Sequence, residues 1–453
     1  MAWRRTELLR ESCRALLVLA AAFLVPASGT AADTAGVVDA EVELTPPRAI
    51  TWSDFLGVNA HFLWFTPEQY MRQIELLQKL GLGWVRVDLH WALMEPKPGQ
   101  FLFDALDRLV PALQQHGLRS VFYLTGSAPF DSGAPFWSRG SDQFPPPDPQ
   151  PYARRIASLA KRYPAIDAWQ VWNEENLPSN WMPRADPEGY ARLLQVSSTA
   201  IHDAAPGRTV VIGGMAYFSQ MPLRSGLMLE DLGKLGALGL GDVVDYHPYS
   251  LYPEGDDPSV HDFIDRCRQV NSSLRAARVP AIWASEWGWS SYAGPKEEQP
   301  VVGERGQADF VLRRLALMSA LDFDRIFLFA LSDLDTRAGL RDRSYGLLDL
   351  RGRPKPVYTA LANFLAITGP RIEPAAAPQH TGGASGLFGI GWQRPDGAHL
   401  WMFWSAHGGR LHLANLHAAS LCQPLIGRCN ALGVAAGAAD VPVTPALQIL
   451  EWR

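Results

Sequence analysis

The chain reads as an α/β protein, a (β/α)8 barrel followed by a smaller C-terminal antiparallel β-sandwich domain. Three observations predict this. From about Phe55 to Ile367, short apolar, β-branched runs alternate with helical stretches about eight times over. After Gly369 and Pro370 that periodicity gives way to short alternating runs, as in an antiparallel sheet. A chain of 453 residues, 47% hydrophobic and 19% charged, can bury one large core with a satellite. Sixteen Trp and 19 Phe exclude a disordered or low-complexity chain. A net charge of −5, with no run of Lys or Arg beyond pairs, lacks the footprint of a nucleic-acid partner.

At the N-terminus, Arg4, Arg5, Arg10 and Arg14 precede the apolar run Ala15–Val25 and a stretch of small residues. Residues 1–31 therefore read as a signal peptide, cut near Ala31 or Ala32, or as an N-terminal anchor if uncut. The apolar run is short for the ~30 Å of a bilayer core. An exported, periplasmic protein is expected, associated with the inner membrane if the leader stays. Residues 41–47 read as an extra strand for the tail domain.

Residues 48–370 form the expected barrel. Its strands are Phe55–Asn59, Trp84–Leu89, Ser120–Leu124, Ala168–Trp172, Thr209–Gly213, Val243–Tyr246, Ala281–Ser285 and Arg325–Leu331. Helices are expected at Pro67–Leu80, Phe103–His116, Pro151–Arg162, Pro187–Asp203, Val260–Arg278 and Gly306–Leu321, several opening on Pro, Asp or Glu. Residues 371–453 form the β domain, expected to brace the barrel rather than bind carbohydrate. Cys422 and Cys429 flank Pro424 and Gly427 at a spacing compatible with a hairpin disulfide, whereas Cys267, in a helix, reads as a buried free thiol. No Cys and His spacing suggests zinc.

The strongest chemical signal is Trp169-Gln-Val-Trp-Asn173-Glu174-Glu175, an apolar strand ending abruptly in amides and acids. A second acid, Glu286, ends another apolar run and is followed by Trp287-Gly-Trp289. The carboxyl ends of barrel strands open onto one face, so the two acids converge there. One carboxyl can protonate a leaving glycosidic oxygen while the other attacks the anomeric carbon, and Trp faces stack on sugar rings. Arg86 either orients one acid or makes an ordinary barrel salt bridge. His247 and Tyr249 either bond Glu286 or a sugar hydroxyl, or are packed core groups. Asn59, His61, Asp88, His90, Trp91 and Tyr123 end other strands and are expected to line the same mouth, with Trp91 open to a core reading. Phe136, Trp137 and Trp181, in long loops, are candidate sugar platforms.

These motifs, with Asp54-Phe-Leu-Gly-Val-Asn-Ala, Asp88-Leu-His-Trp, Tyr246-His-Pro-Tyr and Ser285-Glu-Trp-Gly-Trp-Ser, resemble those of glycoside hydrolase family 39, of clan A. The resemblance covers nearly the whole chain beyond the leader. It implies a retaining mechanism with Glu174 as acid/base, Glu286 as nucleophile and Asn173 on the sugar 2-hydroxyl, and no cofactor or metal. It further implies a monomeric endo-glycosidase that cuts a Psl-like biofilm exopolysaccharide by double displacement. The rivals are an exo-acting clan A enzyme of xylosidase or iduronidase type, and a non-catalytic polysaccharide-binding or assembly protein. One departure stands out: relatives usually carry Pro where this chain has Glu175, which is expected to point to solvent, the alternative being that it raises the Glu174 pKa by like-charge repulsion.

Overall fold

The structure, a computed structural model, describes residues 41–138, 140–218, 228–257, 262–295 and 299–453. The leader assigned to residues 1–31 lies outside the described residues, as does the expected start of a helix at Val260. Among the described residues, no helix is long and apolar enough to cross a membrane.

Eight parallel strands close a barrel: Leu56–Asn59, Trp84–His90, Arg119–Thr125, Ala168–Val171, Thr209–Phe218, Val243–Tyr249, Ala281–Trp287 and Arg325–Leu328. Helices cover the outside at Pro67–Leu80, Asp104–Gln115, Gln150–Arg162, Pro187–Ala204, Asp262–Ala276, Gly303–Ser319 and Pro356–Thr368. The helix Pro67–Leu80 shows how the sequence sets such boundaries. Thr66 and Gln69 close a reciprocal capping box, Pro67 occupies the first turn, and Gly81 ends the helix in a left-handed conformation at φ +73°. The helices Met228–Lys234 and Pro356–Thr368 were not among those singled out from the sequence.

Side chains fill the barrel in layers, because every second residue of a strand points inward. Trp84, Val121, Ala168, Val211, Val243, Trp283 and Phe327 form one apolar layer. Gly57 belongs to the same level: a Cβ there would meet the Phe327 ring at 2.5 Å, so the bulky aromatics need it bare. Two residues further along the strands lie Asn59, Arg86, Tyr123, Gln170, Asp245 and Ser285. The apolar plug thus supports a polar layer at the carboxyl ends, and the site is built on that layer.

The β domain has two sheets. The larger runs Arg428–Ala431, Ala419–Gln423, Gln448–Trp452, His399–Ser405, Leu387–Gln393, Arg371–Pro374 and Ile50–Thr51, with Val42–Leu44 pairing in parallel with Leu387–Gln393. The expected strand in 41–47 is therefore present, and Ile50–Thr51 adds a second from before the barrel. The smaller sheet holds His380–Gly383, Gly409–Leu413 and Ala439–Val443. Alternation explains why His399–Ser405 is almost wholly apolar: Leu400, Met402 and Trp404 join the barrel core, while Trp401 and Phe403 pack toward the small sheet. Trp404 also donates through its indole nitrogen to Glu254 of the barrel at 2.9 Å, and Glu254 is paired with Arg313. Cys422 and Cys429 are joined across paired strands, and Cys267 is a buried free thiol.

Trp84 is 2% exposed, with Arg119 and Arg325 stacked over its ring. Trp84→Ala should lower stability by about 3–5 kcal/mol, measured by denaturant titration, as expected for removing a large buried ring from a site that cannot collapse. A loss under about 1 kcal/mol would show that the plug repacks.

Candidate active site

The fourth strand stops at Val171, and the next residues turn sharply. Trp172 and Glu174 adopt positive φ values of +71° and +50°, uncommon for side chains of that size and held here by the surroundings. The Trp172 N–H donates to the Leu124 carbonyl at 3.1 Å, and the Glu174 N–H donates to the Gly214 carbonyl at 2.9 Å. Gly214 permits that approach, since a Cβ there would lie 2.2 Å from the Gln170 amide. The fifth strand, expected to end at Gly213, passes through a register shift between Gly213 and Met215 and runs on to Phe218. The result presents Asn173 and Glu174 at the barrel mouth, each partly exposed.

Arg86 lies at the centre of the polar layer, 1% exposed. It donates to Glu286 Oε1 at 2.6 Å, Asn59 Oδ1 at 2.9 Å, Gln170 Oε1 at 3.0 Å and Asn173 Oδ1 at 2.5 Å, and its guanidinium lies 4.0 Å from the Tyr123 ring centre. Asn59 in turn donates to the Ser285 carbonyl at 2.7 Å. Glu286 also accepts from the Tyr249 hydroxyl at 3.2 Å. Glu286 is one position out of the inward-facing series of its strand. The pairing register of the seventh and eighth strands slips at this level, between Ile326 and Leu328.

Glu174 accepts from the Asn180 amide at 3.1 Å and faces His247 Nδ1 at 3.1 Å. A carboxylate oxygen of Glu174, one of Glu286 and a ring nitrogen of His247 all lie within 4.8 Å of one another. Such a trio resembles a cation site, but Arg86 already places a fixed positive charge on Glu286. The two carboxyls differ in environment. Burial pushes the Glu174 carboxyl up to about 7, against the opposing pull of Arg86 and Asn180. Burial holds His247 down at about 3, so its imidazole is neutral. One carboxyl is thus poised to carry a proton beside another clamped by a cation.

The other expected residues divide into two groups. His61 Nδ1 contacts Asp88 at 2.9 Å and His90 Nε2 lies 3.5 Å from it; burial alone would raise the Asp88 carboxyl, but the two imidazoles hold it far below the usual range. His61 and His90 are partly exposed. Trp91 and Trp287, by contrast, are each 1% exposed and offer no face to a sugar. Trp91 donates to Glu95 at 2.9 Å and packs on Tyr152, which is the core reading, and Trp287 sits in the main hydrophobic core because the strand continues through it. Trp289 is likewise buried, and Trp181, 3% exposed, packs against Trp172 and Tyr190. Phe136 and Trp137 stand in solvent, edge to face at 4.8 Å.

Gln170, Asn180, Asp245 and Ser285 join the site without having been singled out. Asp245 carried a usable signal, a lone acid inside Val243–Tyr249 with the same strand parity as His247 and Tyr249. Glu175 corrects the expectation of a solvent-facing acid. It is fully buried, and neither carboxyl oxygen has a hydrogen-bond partner among the described residues. Burial, reinforced by Asp245 and Glu174, raises it well above the ordinary value.

Comparison with known proteins matches this architecture. The family model described as Beta-galactosidase, Glyco_hydro_42, matches residues 62–145. Beta-galactosidase BgaB of Geobacillus sp. (strain Y412MC61) is 30% identical over 139 residues, 24% of this chain and 20% of that protein. The chain thus spans about a fifth of the length of that curated relative. The fold is one that solved glycoside hydrolases share. Within it, the structure is similar to a family 39 glycoside hydrolase of Bacteroides cellulosilyticus WH2, with TM-score 0.69 and 18% identity over 90% of this chain and 81% of that one. A monomeric beta-xylosidase of Caulobacter crescentus CB15 aligns with TM-score 0.59 and 17% identity over 91% and 99% of the two chains.

Each unit by which burial raises a carboxyl's pKa removes about 1.4 kcal/mol of folded-state stability once the pH exceeds that pKa. The loss begins as pH rises past the ordinary Glu value, where the unfolded chain ionises and the folded one does not. Glu175→Gln should therefore match the parent's melting temperature near pH 4 and gain on it steadily toward about pH 8. Parallel curves for the two proteins would show that Glu175 ionises freely in the fold.

Proposed function

We propose that the chain is a retaining glycoside hydrolase. The observation that carries this reading is the pair Glu174 and Glu286, with carboxylate oxygens within 4.8 Å of each other at the open end of the barrel. Retaining pairs stand about 5–5.5 Å apart, whereas inverting pairs are separated by about 6.5–9.5 Å to admit a water. In the first step Glu174 gives its proton to the leaving glycosidic oxygen as Glu286 attacks the anomeric carbon. The carbon–oxygen bond breaks and a glycosyl ester forms on Glu286. In the second step the Glu174 carboxylate takes a proton from water, whose oxygen displaces Glu286 and frees the sugar. Arg86 and Tyr249 hold Glu286 in place, and Asn173, held by Arg86, faces the sugar 2-hydroxyl. No step of this chemistry calls for a cofactor or metal.

The substrate proposed is an exopolysaccharide of the Psl-like biofilm type, cut internally. The sequence motifs support it, as do Phe136 and Trp137, exposed on the loop that follows the third strand at the open end. The leader supports export to the periplasm, with retention at the inner membrane if it is not removed. We further propose a monomer that does not bind nucleic acid.

Incubating the protein with purified exopolysaccharide should release oligosaccharides of mixed length by mass spectrometry, with the anomeric configuration retained by proton NMR. Single sugars from the chain end would instead establish exo action, and inverted products would remove the double-displacement mechanism. Glu286→Gln should reduce turnover to background while polymer binding persists, and Glu174→Gln should lose about 10²–10⁴-fold. Because the first step needs protonated Glu174, kcat/KM should fall as pH rises through about 7. A rate flat to pH 9 would place the acid elsewhere.

A further inference from the structure

Beneath Glu174 a continuous line of polar groups runs into the barrel. His247 faces Glu174 Oε1 through Nδ1 at 3.1 Å and Ser285 Oγ through Nε2 at 3.1 Å. The Ser285 hydroxyl meets Asp245 Oδ2, and the Ser285 N–H donates to Asp245 Oδ1 at 2.8 Å. Asp245, His247 and Ser285 are each 0% exposed. Among the described residues, Asp245, at the buried end of the line, is hydrogen-bonded to solvent-facing Glu174 only through this line.

We propose that Asp245 exchanges the acid/base proton with Glu174 through Ser285 and His247, and so acts as a positioning residue for that proton. The inference rests on the glycoside-hydrolase reading for the role of Glu174, while the line itself rests on geometry. Two arrangements hold the same number of protons. In one, Glu174 carries the proton and donates to Nδ1, Nε2–H donates to Ser285, and Ser285 donates to Asp245. In the other, Asp245 carries it and donates to Ser285, Ser285 donates to Nε2, and Nδ1–H donates to Glu174. Passing between them breaks three bonds to hydrogen and forms three, with no net charge moved to solvent. The imidazole stays neutral in both end states, in keeping with burial holding it down. The two ends are matched, since burial also pushes Asp245 up to about 7, against Arg86 and the Ser285 bonds. Among the described residues, the charged and titratable groups around Glu174 include Glu286, Arg86, Arg341, Asp342, Glu175, His247, Tyr123 and Tyr249, and those around Asp245 include Arg86, Glu286, Glu175, His247, Tyr190 and Tyr246. In the proposed reaction Glu174 must be an acid in one half and a base in the other. A neighbour that can take or return its proton suits that alternation.

Carbon NMR of the full chain, with labelled Asp and Glu carboxyls and no substrate, tests the exchange. Glu174→Gln and Asp245→Asn identify the two signals. In the parent, both should titrate in two shared steps, because one proton is divided between them. In Asp245→Asn the amide donates to Ser285 and turns Nδ1–H toward Glu174, so the Glu174 titration should become a single step at least about one pH unit lower. Ser285→Ala keeps the Asp245 charge but cuts the line and should leave Glu174 with a single step, while Ser285→Thr keeps the hydroxyl and should restore two. Independent single steps in the parent, or two steps persisting in Ser285→Ala, overturn the proposal. So does an unmoved Glu174 in Asp245→Asn. A parent that cleaves no glycoside overturns the preceding reading and leaves the titrations unaffected, so the two failures are separable.

Discussion

The burial of one guanidinium constrains everything at the barrel mouth. Arg86 is removed from water and cannot shed its proton, so the fold must surround it with acceptors or bear several kcal/mol of uncompensated charge. It does so with Glu286, Asn59, Gln170 and Asn173, drawn from the seventh, first and fourth strands and the turn after the fourth, and with the face of Tyr123 from the third. The planar fork of donors therefore fixes the positions of groups far apart in the chain. Glu286 and Asn173 are both fixed near Glu174 because both bind the same cation.

That arrangement also explains how two acids a few ångströms apart avoid the same fate. Glu286 holds the cation directly, while Glu174 shares its surroundings with a neutral imidazole and a buried Asp. Burial then favours the neutral form at Glu174, while the Arg86 contact holds Glu286 in place. Glu175 extends the same logic. A fully buried carboxyl is tolerated here as a neutral acid, and it sits where the relatives' proline would have restricted the turn. Three raised carboxyls, Glu174, Glu175 and Asp245, lie close together below the barrel mouth.

The β domain is joined to the barrel at both ends of the barrel segment. Its larger sheet recruits strands from both ends of the barrel segment, Val42–Leu44 and Ile50–Thr51 before it and Arg371–Pro374 after it, so the barrel is clasped where its chain enters and leaves. Trp404 reaches Glu254 on the loop after the sixth strand, the strand that carries Asp245, His247 and Tyr249.

Sequence alone determined the barrel, because eight apolar runs separated by amphipathic helices have one economical closure, and most strands lie within a few residues of their expected places. It also singled out the two acids that the structure brings together, since a carboxyl ending an apolar strand is costly to bury without purpose. Tertiary structure decided what each residue faces. Trp91 and Trp287 carry the same aromatic chemistry whether they stack on sugar or fill the core, and only the path of the chain beyond each strand end buries them. Glu175 looks solvated beside Glu174 until the positive φ at Glu174 turns consecutive side chains to different environments. Asp245 and Ser285 meet because parallel strands bring positions 40 residues apart into contact, a proximity set by strand register and not by local pattern.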